Sequence, residues 1–173
     1  LSARTRPVRH FSVQGGTPAQ CGEVARWAEE HAERTGRLLE TTLRPLPNRS
    51  LEIVLLPARS GELPGSIAQC IEEEHGRVVQ RLFLRDIAHA DAEDALEMLV
   101  QLLLNEWRGD YPLQMDPARK PGRVPAWIAV GIAQNLHPSL RNRNGALVRE
   151  RRDPATMPAL AQVLNWEYLP AGR

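Results

Sequence analysis

Residues 92–109, AEDALEMLVQLLLNEWRG, constrain this chain more than any other stretch. Leu96, Leu99, Val100, Leu103 and Trp107 fall on one stripe at helical spacing, and Leu102 and Leu104 widen it over most of the circumference. A helix apolar on most sides has no face to give to water, so other elements must surround it. Asp91 stands where an N-cap is needed, with Asp94 three residues on, so the helix starts at a defined point. The chain has 173 residues, enough for one domain built round such a helix.

The preceding residues supply a sheet. RHFSVQG (9–15) alternates apolar and polar residues and stops at Gly15-Gly16, which reads as a strand and a turn. Thr17 and Pro18 then open a helix as N-cap and first helical residue; Cys21, Val24, Trp27, Ala28, His31, Leu38 and Leu39 carry it to about Thr41. LEIVLLP (51–57) reads as an interior strand stopped by proline. SIAQCIEEEHG reads as a short helix and RVVQRLFLR (77–85) as a third strand. Beyond the central helix, a Pro/Gly-rich link leads to a helix over 124–136, and MPALAQVLNWEYL (157–169) forms a last amphipathic one. The expected fold class is α+β: a small mixed β-sheet with an N-terminal helix, then a buried central helix and further helices. Residues 1–173 form one domain, with a sheet-containing part (1–90) and a helical part (91–173).

Composition excludes several functions. Net charge is +1, from 22 Lys+Arg against 21 Asp+Glu, so nothing draws the chain globally to nucleic acid. The arginines at 141, 143, 149, 151 and 152 lack interleaved aromatics and have Glu150 and Asp153 beside them. No apolar run reaches the ~20 residues of a membrane-spanning helix, so no integral membrane segment is expected. There is no G-x-S-x-G elbow, no phosphate-binding Walker loop and no G-x-G-x-x-G. Glu29-Glu30 and Glu72-Glu73-Glu74 are read as solvated helix faces, and Trp107 and Trp127 as core residues. Cys21 and Cys70 either pair as a disulfide, if the chain is exported, or serve as two small buried hydrophobes.

One stretch carries a family likeness. In VPAWIAVGIAQNL (124–136), Pro125, Trp127, Gly131 and Ala133 stand as in P-x-W-x-x-E-G-x-A. This nonapeptide, with the order of elements before it, resembles the gluzincin-type (peptidase MA-like) metallopeptidase domain, so the expected architecture is a zincin-like minimal domain. There a buried helix carries H-E-x-x-H: two histidines four apart bind zinc and the glutamate activates the bound water. The glutamate of the second helix is the third ligand, and here that position is Val130.

The central helix can be aligned with the zinc motif in two registers. Gln101 and Asn105 take the histidine positions with Leu102 as the base position, or Asn105 and Gly109 take them with Glu106 as the base. Neither register supplies a histidine, and amides are weak zinc ligands. The five histidines (10, 31, 75, 89, 137) include no pair four apart and none on this helix.

The resemblance therefore implies a degenerate, catalytically inactive domain without metal or cofactor, acting as a binding or scaffold module for a protein or peptide partner. Two alternatives stand beside it: a metal-independent hydrolase with a residual polar site at Glu106 and His137, or an unrelated α+β interaction domain. The start at Leu1, the cysteine pair and the family's frequent periplasmic use add an expectation of export.

Overall fold

The computed structural model of the chain describes residues 10–44, 46–61, 63–108, 126–138 and 141–142. Within them a four-stranded mixed sheet and three helices form an α+β domain. Strand β1 (Phe11–Gln14) leads into helix α1 (Pro18–Leu38). Thr17 caps α1 as its sequence requires: its side chain accepts from the Gln20 backbone N–H, and the Gln20 side chain reaches back to the Thr17 N–H. At the β1–α1 turn, Gly15 has φ +90° and any Cβ there would lie 2.3 Å from the Leu55 carbonyl oxygen, so only glycine fits.

Strand β2 (Arg49–Leu56) lies beside β1 and parallel to it, with Phe11 opposite Leu51. It is an interior strand, as its apolar run predicts: the order is β1-β2-β4-β3, where β3 is Ile67–Glu74 and β4 is Arg77–Arg85. β2 and β4 are parallel; β3 and β4 are antiparallel. Alternation puts Phe11, Leu51, Ile53, Leu55, Leu82 and Leu84 on the side that faces the helices, where all join one core.

The stretch expected to be a short helix is β3. His75 and Gly76 both have positive φ, 52° and 74°, the conformation of a two-residue turn whose twist matches paired strands. The chain reverses there and all eight residues of β3 pair with β4. Eight rungs of cross-strand pairing outweigh the local helix preference of a Glu run. The acidic triplet therefore lies on an edge strand, where charge also discourages pairing with another chain.

Helix α2 (Ala92–Arg108) begins at Asp91, whose Oδ1 accepts from the backbone N–H groups of Glu93 (2.8 Å) and Asp94 (3.1 Å). Every residue from Leu99 to Glu106 is buried. The sheet, α1 and helix α3 (Ala126–Leu136) all pack against it, and α3 runs alongside it. Each fully buried leucine in such a helix contributes about 1.5–3 kcal/mol. Trp107 departs from its expected core role: it is 52% exposed, and Glu106 takes the inward place in the last turn. Positions three and four residues beyond Leu103 compete for that place, and only Glu106 finds buried polar partners there. The 157–169 helix and the arginines at 143, 149, 151 and 152 lie outside the described residues; Arg141 is exposed.

Candidate functional site

The second half of α2 carries the polar groups that sequence singles out. Gln101 and Asn105 are one helical turn apart and both buried, and the Gln101 side-chain amide donates to Asn105 Oδ1 at 3.1 Å. Leu102, between them, has no exposed surface. A donor paired with an acceptor in this way offsets part of the cost of burying the two amides.

Glu106 has both carboxylate oxygens engaged. Oε1 accepts from the Leu46 backbone N–H at 3.2 Å, and Oε2 accepts from the Gln80 side chain at 3.0 Å. Arg49 Nη1 lies 3.9 Å from Oε2, with both side chains under 10% exposed. The loop before β2, the start of β2 and the middle of β4 thus converge on one carboxylate at the end of the central helix. These partners hold the Glu106 carboxylate, and with it the end of α2, to the sheet.

Gln80 and Arg49 are the members that sequence reading missed. A signal was there for Gln80: alternation along RVVQRLFLR puts it on the same side as Leu82 and Leu84, and an inward-facing amide needs a partner. Its Oε1 is buried and without a hydrogen-bond partner among the described residues, as is Gln69 Oε1 on β3. Arg49 opens a strand that otherwise reads as apolar, and nothing local marks it as inward-facing.

Val130 lies on α3 and is half-buried. Gly131 does not serve close helix packing: a Cβ added there would meet nothing within 4 Å among the described residues. Ala133, by contrast, is buried in the core. Trp127 is half-buried; its indole N–H, and His137 Nδ1 just beyond α3, have no hydrogen-bond partner among the described residues. The Arg34 guanidinium donates to the Leu136 carbonyl at 2.5 Å, which ties α1 to the end of α3 and complements that helix's negative pole.

Cys21 on α1 and Cys70 on β3 are free thiols. Burial, and secondarily the neighbouring Glu72 carboxylate, push the Cys70 thiol upward, away from the reactive thiolate. On the sheet side turned away from the helices, Arg81 binds Glu52 (2.8 Å), Glu74 (2.7 Å) and Glu72. A separate groove of about 420 Å³ lies between α1 and the β4–α2 connection, lined by Val24, Trp27, Leu84, Ile87 and Ala95 with Glu23 at its edge.

Among the described residues no three His, Cys, Asp or Glu side chains are grouped to hold a metal ion. No helix among them is long and apolar enough to cross a membrane. No protein-family model, curated protein or solved structure matches this chain.

Proposed function

We propose that this domain is a catalytically inactive, gluzincin-like module that binds or supports a protein or peptide partner. The observation that carries the reading is the buried Gln101–Asn105 pair. At the positions that two imidazoles one turn apart would take, one buried amide donates to another, and Leu102 stands at the position of the base. The buried α2 with α3 alongside it, behind a mixed sheet, supports the same reading. Val130 fits it too: a glutamate at that position without a metal would bring a carboxylate to a half-buried site, at a desolvation cost.

Two measurements test the reading. Elemental analysis of protein purified without chelator should find no stoichiometric zinc; one zinc per chain overturns it. The second restores the ligand set, combining Gln101→His, Leu102→Glu, Asn105→His and Val130→Glu. If the resemblance reflects common architecture in this register, the folded variant takes up one zinc per chain. If the variant folds and takes up none, the unrelated α+β interaction domain becomes the better reading.

A further inference from the structure

We propose that His10, Glu29 and the Leu43 carbonyl form a proton-dependent clasp that holds strand β1 in the sheet. The His10 ring lies between two oxygens: Nδ1 is 2.7 Å from Glu29 Oε2, and Nε2 is 2.6 Å from the Leu43 carbonyl oxygen. A carbonyl and a carboxylate only accept hydrogen bonds. A neutral imidazole has one N–H, so against these two partners either tautomer points a lone pair at an oxygen. The arrangement therefore needs one proton more than a neutral ring and a carboxylate possess. Glu29 already accepts two backbone N–H bonds through Oε1, from His10 (2.6 Å) and Phe11 (3.0 Å). With Oε1 so occupied, the extra proton belongs to the contact between Nδ1 and Oε2.

The clasp joins three elements: the start of β1, the middle of α1 and the segment that follows α1. The two side chains are only 16% and 27% exposed, so water competes poorly for their bonds. β1 is four residues long and, among the described residues, pairs only with β2, so the clasp adds to a short ladder. Other charged groups of the surrounding elements are engaged elsewhere or exposed. On α1, Glu33 pairs with Arg37, and Arg26 and Glu30 are exposed. After α1, Glu40 and Arg44 are exposed. On β2, Arg49 faces Glu106 and Glu52 faces Arg81. Glu29 is thus the charged group that the described residues set against the ring.

Loss of the proton sets acceptor against acceptor, so the clasp is closed on the acid side of the ring's titration and opens on the basic side. Opening frees β1, withdraws Phe11 from the core and bares the β2 edge from Leu51 to Val54.

The test follows the His10 ring nitrogens by ¹⁵N NMR across pH and measures amide-exchange protection on both sides of that titration. Protection in Phe11–Gln14 is compared with the β3–β4 hairpin as internal control. A doubly protonated ring on the acid side is expected, with β1 protection falling about tenfold relative to the hairpin as the proton leaves. In His10→Gln, β1 protection should be low at both pH values. A neutral ring on the acid side, or a β1-to-hairpin protection ratio that does not change across the titration, overturns the proposal using the unmodified protein alone.

Discussion

Two arginine–carboxylate clusters lie on opposite sides of the same sheet, and they differ in nearly every physical respect. On the helix side, Glu106 meets Arg49, Gln80 and the Leu46 amide in a space where both charged side chains are under 10% exposed. On the other side, Arg81 collects Glu52, Glu72 and Glu74, two of them near half-exposed. Three carboxylates pair with Arg81 in the outer cluster, whereas the Arg49–Glu106 pair of the inner one is looser, at 3.9 Å. Pair number does not rank their importance. Water and salt screen Glu72 and Glu74 whether or not they pair, whereas a buried inner charge that loses a partner has little solvent to turn to.

The largest expected effect comes from breaking the inner cluster. Glu106→Gln should cost about 3–5 kcal/mol in denaturant unfolding, because it removes the buried carboxylate on which Leu46, Gln80 and Arg49 converge. Arg49→Met should cost less in that background than in the unmodified protein, as expected of two residues that act as a pair. Additive losses would mean that Arg49 and Glu106 do not act as a pair. Loosening the outer cluster at an exposed carboxylate should do far less: Glu74→Gln is expected to cost at most about 1 kcal/mol, shrinking further as salt is added. A loss as large as that of Glu106→Gln would erase the distinction between the two sides.

Glu97, half-buried on α2, sharpens the same point through pH. Burial, then the Asp94, Glu93 and Asp91 charges, raise its carboxyl above the usual range. An acid raised on folding favours the folded state while protonated, so its contribution falls as pH rises past ordinary carboxylate titration, about pH 4 to 5. Glu97→Gln should therefore raise the melting temperature at neutral pH and change it little at pH ~3. An equal shift at both values would point to packing rather than charge. The smallest effect is expected at Gly131, in the middle of α3, where a Cβ would meet none of the described residues within 4 Å. Gly131→Ala should stabilise by up to about 1 kcal/mol through helix propensity and unfolded-state entropy. Destabilisation would mean that something packs closely on that position.

Much of the scaffold was legible because its signals are local. Thr17-Pro18 and Asp91 start their helices where capping chemistry says they should. The β4 strand runs over the very residues that alternation marks out. The β3 strand was not legible, because helix preference in a Glu-rich run is local while its pairing with β4 is not. Glu29 shows the same limit. Beside Glu30 it looks like part of a solvated face, yet it turns inward to the His10 ring and to the backbone N–H groups of His10 and Phe11. Of the candidate site, the Gln101–Asn105 pair could be read from spacing alone, because a helix brings residues four apart together. Arg49 and Gln80 could not, because they meet Glu106 only once β2, β4 and α2 are assembled.

The sequence by itself determined that a helix apolar on most sides had to be enclosed by an α+β domain, and which amides that helix would bury. Capping, alternation and helical periodicity act over a few residues and need no further context. Only the tertiary structure decided which polar residues have partners. Glu106 is inside and Trp107 outside because Arg49, Gln80 and the Leu46 amide come from segments far away in the chain to meet a carboxylate there. Burial of a charge is tolerable only where partners arrive to meet it, and folding alone brings them.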